Sequence, residues 1–322
     1  MPSAIHFKKL ECYSLYSTLE EVMAILIDEN TRMLIQGITG RFGQGVARRM
    51  IEVGSKVVVG VTPGRGGQSV WGVPVYNTIK EALEAVGPVD AAVAVVPGPE
   101  AKGAVIEAFE AGIKTVLMRV ERVPLHDSLE IIAHARKHGI RLIGPGSAGV
   151  VSPGKASFGG LGGFIGSSDL PKIAFKPGRI GVVSRSGGQT STISWVVCSA
   201  GFGISTAIHL GSEPVLGTTL AEVLPLYQQD KETDGVVYFG EIGTVMEEEA
   251  CDVIRAGGYT KPLVAYIAGK GLPAGLRFSH ASAIVEGGKG TAEGKIKALK
   301  EVGATVVDRP DELGPALKKV FG

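Results

Sequence analysis

From Met33 onward the chain alternates short β-branched or apolar runs with segments of helical length, and it does so in two separate series. Strands buried on both faces read as continuous apolar runs, and helical crossovers between them are what parallel neighbours require. The alternation therefore restricts the fold class to α/β. In the first series strands are expected at Met33 to Gln36, Lys56 to Gly60, Ala91 to Val96, Thr115 to Met118 and Arg141 to Ile143. In the second they are expected at Ile180 to Val183, Ser205 to Leu210, Gly235 to Phe239, Leu263 to Ile267 and Thr305 to Val307. Between Gly144 and Gly178 the periodicity fails in a stretch dense in Gly, Pro and Ser. The expected organisation is an extension at 1–22, a first domain at 23–145, a connection at 146–178 and a second domain at 179–322. Each domain should be an open, doubly wound sheet with its ligand at the carboxyl ends of the strands.

A chain of 322 residues has room for two such cores. Its 33 basic and 32 acidic side chains nearly cancel, so no global field favours nucleic acid or an anionic membrane surface. Neither partner is expected. Cys12, Cys198 and Cys251 are widely spaced, with no C-x-x-C pair to suggest a disulfide framework or structural zinc. That usage suits a reducing cytoplasm. No apolar run approaches the roughly 20 residues of a membrane span. The first 22 residues have no h-region or small-residue cleavage site, and Met23 stands just before the first strong pattern, so the leader reads as an extension or an early start.

Directly after the first strand comes Gly37-Ile38-Thr39-Gly40-Arg41-Phe42-Gly43, opening a helix. Glycines there let backbone approach a ligand, and free N–H groups at a helix start attract phosphate. The same spacing also serves as a plain βα turn. A dinucleotide site calls for an acidic residue about 20 positions later to hold the ribose diol. That position instead carries Val61-Thr62-Pro63-Gly64-Arg65-Gly66-Gly67, a second flexible loop with a cation. Two Gly-rich turns and Arg65 suit a ligand with several phosphates, such as CoA, better than NAD; NADP stays open, because arginine can meet a 2′-phosphate.

The second series repeats the device with Ser184-Arg185-Ser186-Gly187-Gly188 between a strand and a helix. Further on, Phe278-Ser279-His280-Ala281-Ser282-Ala283-Ile284 sets one histidine among small residues. Such a histidine is also compatible with an ordinary polar loop. His6, His126, His134, His138 and His209 lack this setting, and the i,i+4 pair His134 and His138 has no third ligand, so no metal is expected. A histidine that reacts through one ring nitrogen needs an acceptor for the proton on the other. Gly240-Glu241-Ile242-Gly243 offers a carboxylate at a strand end, whereas Glu247, Glu248 and Glu249 read as a negative first helical turn.

The run ILIDENTRMLIQGITGRFGQ, then GVTPGRGG and GVPVYNTIKEA, resembles the amino-terminal domain of succinyl-CoA synthetase α subunits. With SRSGG, GEIG and the SHASAI loop, the similarity runs over roughly residues 23 to 320. The resemblance implies a Rossmann-like CoA-binding domain followed by a flavodoxin-like ligase domain. It places Gly37, Thr39, Gly40, Arg41, Phe42 and Arg65 at the CoA phosphates, with adenosine or pantetheine contacts at Pro99 and Glu121. It makes His280 the phosphohistidine, Glu241 its orienting partner, and Ser186, Gly187, Gly188 and Ser191 the phosphate and acid site. The implied chemistry is acid activation as an acyl phosphate, displacement of phosphate by CoA thiol, and carriage of phosphate by His280. No G-x-x-x-x-G-K-[ST] loop is present, so ATP or GTP with Mg is expected on an ATP-grasp β subunit.

Several positions depart from the family's pattern. Its Gly-Pro-Asn-Cys-Pro-Gly is here Gly144-Pro145-Gly146-Ser147-Ala148-Gly149, and Ser191 stands where a tyrosine is usual. Ser279 and Ser282 replace glycines, and the loop from Phe158 to Phe175 together with SRSGG resembles ATP-citrate lyase and citryl-CoA synthetase. A wider or differently polar acid pocket is expected, in which citrate, malate or another carboxylate competes with succinate and small acyl acids stay open. An NADP oxidoreductase leaves the second-domain motifs unexplained, and a non-catalytic CoA-binding protein is a third alternative. If Arg65 meets phosphate, Arg65→Glu should weaken CoA binding by about tenfold or more in calorimetry; equal affinity would remove Arg65 from the site.

Overall fold

The computed structural model describes residues 25–163, 170–272, 280, 285 and 290–322. The leader expected at 1–22 and most of the SHASAI loop lie outside the described residues. The first series forms β1 (Arg32–Gln36), α1 (Arg41–Val53), β2 (Lys56–Val61), a hairpin of β3 (Ser69–Val70) and β4 (Val73–Tyr76), α2 (Ile79–Val86), β5 (Ala91–Ala94), α3 (Ala101–Glu110), β6 (Thr115–Met118), α4 (Leu125–Lys137) and β7 (Arg141–Ile143). The strand order is β3-β4-β2-β1-β5-β6-β7, parallel except for β3. The chain reverses direction across the sheet between β1 and β5, and this is the switch point where a ligand crevice opens.

The second series forms β8 (Gly149–Ser152), β9 (Ala156–Gly159), α5 (Leu170–Ala174), β10 (Pro177–Ser184), α6 (Gly187–Ser199), β11 (Ile204–His209), α7 (Leu220–Gln229), β12 (Gly235–Glu241), α8 (Met246–Arg255), β13 (Leu263–Ala268), α9 (Ala292–Glu301), β14 (Thr305–Val307) and α10 (Leu313–Phe321). Its order is β14-β13-β12-β10-β11-β8-β9, with a parallel flavodoxin-like portion and its switch point between β10 and β12. The expected α/β class, Rossmann-like then flavodoxin-like, is the fold observed.

Side-chain alternation along the strands divides the core. Leu34, Ala92 and Val116 face α2, α3 and α4, while Met33, Ile35, Val93 and Leu117 face α1. The second layer continues into Val150, Phe158, Ile208 and Leu210, so one apolar cluster runs through both domains. Polar ties reinforce it: Gly144 N–H donates to the Leu210 carbonyl at 3.0 Å, Thr218 Oγ1 to that of Leu142 at 2.8 Å, and Ser55 Oγ to that of Ser157 at 2.8 Å.

Two hairpins were not expected from the sequence. β8 and β9 lie within the stretch 146–178, and β8 pairs antiparallel with β11, so that stretch contributes two strands to the second sheet. The four-residue strands are rich in Gly and Ser and carry little of the signature of a strand. The turn between β3 and β4 places Trp71 at φ 54° beside Gly72 at φ 83°, a backbone that a tryptophan does not advertise.

Glu247 stands in the first turn of α8, as expected, but the helix dipole is not all that holds it there. It is fully buried, accepts from Tyr238 Oη at 2.9 Å and pairs with the equally buried ammonium of Lys295. This ties the start of α8 to α9, the helix that follows the His280 loop. A buried pair is costly to break because one charge is stranded. Lys295→Met should lower the unfolding free energy by about 3–5 kcal/mol in urea denaturation, and adding Glu247→Gln should restore most of it. A single-variant loss below about 1 kcal/mol would show that the pair anchors nothing.

Candidate functional site

The residues expected to meet CoA gather at the first switch point. Gly37, Thr39 and Gly40 form the turn after β1, Arg41 and Phe42 begin α1, and Pro99 follows β5. α1 begins at Arg41, so the turn itself forms the helix N-terminus. Gly37 is needed here, since at φ +75° a Cβ would stand 2.1 Å from the Val95 carbonyl oxygen. Arg41 and Arg65 are exposed, and Phe42 is 73% exposed, unusual for an aromatic ring outside a binding surface. A close-packed backbone turn, two cations and an exposed ring fit a phosphorylated ligand with an apolar moiety.

At the second switch point β10 ends in Ser184 and β12 in Glu241, two adjacent parallel strands. Ser186 caps α6 by accepting from Gln189 N–H at 3.4 Å; Gly187 and Gly188 are its first residues, and half-buried Ser191 lies one turn in. The opening N–H groups of α6 have no intrahelical acceptor and point outward. Glu241 is buried, and its Oε2 lies 2.7 Å from His280 Nδ1. A carboxylate only accepts, so Nδ1 carries the proton and Nε2 has a free lone pair. The hydrogen bond from Glu241 raises the His280 pKa above the ordinary imidazole value, against the opposing effect of burial.

Glu121, expected among the CoA contacts, is exposed at the end of β6, and its charge reaches His280 in the other domain. The carboxyl ends of both sheets thus share one cleft. Arg122 N–H donates to Glu213 Oε1 at 2.7 Å across it.

Two residues supporting this cleft were missed. Arg185 is fully buried, donating from Nη1 to Thr244 Oγ1 at 3.1 Å and from Nη2 to the Glu213 carbonyl at 2.9 Å. Thr244 sits at φ 54°, so Arg185 braces a strained turn just after Glu241. His209 accepts from Ala148 N–H through Nδ1 at 2.7 Å, which leaves Nε2–H to donate to the Arg185 carbonyl at 3.0 Å. Burial pushes its pKa down to about 4 and keeps it neutral. Read alone, His209 had no setting; its partners come from sequence positions 61 and 24 residues away. The signal for Ala148 was the departure from proline, since proline has no N–H to donate.

His134 and His138 stack edge to face, with His134 against Phe109. Among the described residues, His126, Asp127 and Glu130 are spaced as metal ligands, but Lys102 already pairs with both acids. No described helix is long and apolar enough to cross a membrane.

Comparison with known proteins agrees with this layout. A CoA binding domain model matches residues 28–121, and a CoA-ligase model matches residues 183–305. The α subunit 2 of ADP-forming succinate–CoA ligase from Archaeoglobus fulgidus is 44% identical over 299 residues, covering 93% of this chain and 100% of the relative. A subunit of ADP-forming sulfoacetate-CoA ligase from Acholeplasma is 42% identical over 92% of this chain and 98% of its own length. Among solved structures, ATP citrate lyase from Methanothrix soehngenii, in complex with citrate and coenzyme A, superposes with a TM-score of 0.84 at 26% identity. That match covers 92% of this chain and half, 50%, of the longer lyase chain. With the succinate–CoA ligase α subunits matched nearly end to end, and with the two glycine-rich turns and the His280–Glu241 pair at the two switch points, the chain belongs to the succinate–CoA ligase α-subunit family.

Proposed function

We propose that this α subunit works in an NDP-forming acid–CoA ligase in which His280 carries a phosphoryl group between a nucleotide and a carboxylic acid. The observation that carries the reading is the 2.7 Å contact of Glu241 Oε2 with His280 Nδ1, beside the open N-terminus of α6. Glu241 holds the proton on Nδ1, so the Nε2 lone pair is the nucleophile toward phosphorus. The raised basicity of the ring favours formation of the P–N bond. The N–H groups at Gly187 and Gly188 and the positive end of α6 offset the charge on the phosphoryl oxygens. In the next step a carboxylate oxygen of the acid attacks phosphorus, the P–N bond breaks with its electron pair returning to Nε2, and an acyl phosphate results.

At the first switch point Gly37, Thr39, Gly40, Arg41, Phe42 and Arg65 would hold CoA, with Pro99 at the rim. Bound there, CoA supplies the thiol that accepts the acyl group. Glu121, exposed after β6, acts on His280 through its charge. The nucleotide, ATP or GTP with Mg, is assigned to a β subunit of ATP-grasp type, making the working enzyme a hetero-oligomer. Succinate is the first acid to test. The citrate-bound lyase at a TM-score of 0.84 and Ser191 in place of an aromatic residue favour including citrate and malate.

With the β subunit and NTP, wild-type protein should acquire acid-labile, base-stable phosphate. His280→Asn should abolish both the label and acyl-CoA formation while leaving CoA affinity within about twofold. Turnover by His280→Asn, or label on another residue, would falsify the reading. The pH dependence has a definite sign. Because the pKa of His280 is raised, the ring stays protonated, and without a free lone pair, to higher pH than an ordinary histidine. The rate of His280 phosphorylation should therefore fall as pH drops through that raised value. Glu241→Gln should move this limb to lower pH and reduce the plateau by about 10- to 100-fold. An unmoved limb would deny Glu241 its orienting role.

A further inference from the structure

Arg119, at the carboxyl end of β6, has no use in the mechanism above. Its Nε is buried without a hydrogen-bond partner, and its guanidinium makes no hydrogen bond or ion pair with a described residue. Glu121 is close enough to be felt electrostatically but forms no ion pair with it. Arg119 is half-buried, and a guanidinium with a buried, unpartnered Nε and no counter-ion is destabilising; burial dominates its surroundings to the extent of lowering its pKa. A group of this kind calls for an anion that arrives from outside the fold.

Its position says which anion. Ala148 is the joint between Arg119 and the phosphate turn. Its carbonyl accepts from Gly160 N–H at 2.9 Å, and its N–H donates to His209. Its methyl group faces Gly187, where an added Cβ would stand 3.1 Å from it. Gly160 in turn faces Arg119, where an added Cβ would stand 3.4 Å from Cζ and both Nη atoms. The guanidinium is thus linked to the start of α6 through Gly160 and Ala148, with a side-chain-free glycine in front of it. The charges of Arg119 and Arg185 both act on His209, which places the two cations around the same supporting imidazole. Arg185 is occupied by Thr244 and Glu213, whereas Arg119 is not.

We propose that Arg119 receives the second anionic group of a dianionic acid, a carboxylate or a sulfonate, while the acid's reacting carboxylate lies at the start of α6. The proposal rests on the ligase reading and adds to it the residue that selects the substrate class. The planar fork of Arg119 suits either group, since both present paired oxygens to two parallel N–H donors. A monoanionic acid of similar length leaves the guanidinium unpaired and forgoes that interaction.

The test uses the α chain reconstituted with its β subunit, with succinate and sulfoacetate as dianions and propanoate and acetate as monoanions. Arg119→Met should raise KM for the dianion by about 10- to 100-fold, the loss of a charge-assisted hydrogen bond. It should leave kcat/KM for monoanions within about threefold, and leave His280 phosphorylation by NTP and KM for CoA unchanged. Arg119→Lys should lie between, because an ammonium keeps the charge without the fork. The dianion that loses more identifies the group received, carboxylate or sulfonate. Equal losses for monoanions and dianions, or a loss of phosphohistidine or of CoA affinity, would overturn the proposal and assign Arg119 to packing, to the phosphoryl group or to CoA.

A second measurement on the full α chain separates this failure from failure of the ligase reading. Each dianion should raise the Tm of wild type but not of Arg119→Met, and without ligand the variant should melt no lower than wild type, since an unpaired buried charge has been removed. A wild-type enzyme that makes no acyl-CoA from any acid, yet shows this selective shift, would sink the ligase reading and keep the anion site. A dianion shift that is the same in both proteins, or absent from both, would overturn the site.

Discussion

A carboxylate that is 2% exposed at the end of a central strand is stable only when donors satisfy it, and Glu241 is met by the Nδ1–H of His280. That hydrogen bond gives the imidazole a tautomer, an orientation and a raised basicity together. It also needs a fixed geometry on both sides. β12 supplies one side because it is paired with β10 and β13 through its length, so the carboxylate cannot drift. The other side is held through the buried Glu247–Lys295 pair and the Gly243 N–H to Gly290 carbonyl bond of 2.8 Å, which join the chain after Glu241 to the chain after the His280 loop.

Beneath the neighbouring turn, His209 performs a different office from His280. Its two ring nitrogens bridge Ala148 and Arg185, so the loop after β7, the end of β11 and the turn after β10 move as one body. An imidazole kept neutral by burial can do this over the working range of pH, because neither nitrogen changes role. Two histidines a short distance apart are thus tuned in opposite directions, one by a carboxylate and the other by desolvation.

The cleft between the domains follows from sheet orientation. Both sheets present their carboxyl strand ends to it, and an apolar cluster running from Ile35 through Phe158 to Leu210 holds them in register. Glu121 from the first sheet is therefore felt at His280, and Arg119 stands beside a glycine of the second domain's hairpin.

Much of this layout was legible in the sequence. Parallel strands advertise themselves as apolar runs, glycines mark turns where no Cβ fits, and a loop that follows a strand in an α/β series must fall at the carboxyl edge. Those local facts determined the strand series, the two anion-binding turns, and His280 and Glu241 as candidates. The β8–β9 hairpin was silent because its four-residue strands are too short to show a period. Glu247 was legible as part of a negative first helical turn, but its burial was not, because burial depends on what packs above it and Lys295 lies 48 residues away. His209, Arg185 and Arg119 take their roles from neighbours distant in the chain. The sequence by itself determined which local segments bend, pair and leave backbone open to a ligand. Only the tertiary structure decided which charges are partnered and which await one, because desolvation and hydrogen bonding are properties of neighbours in space.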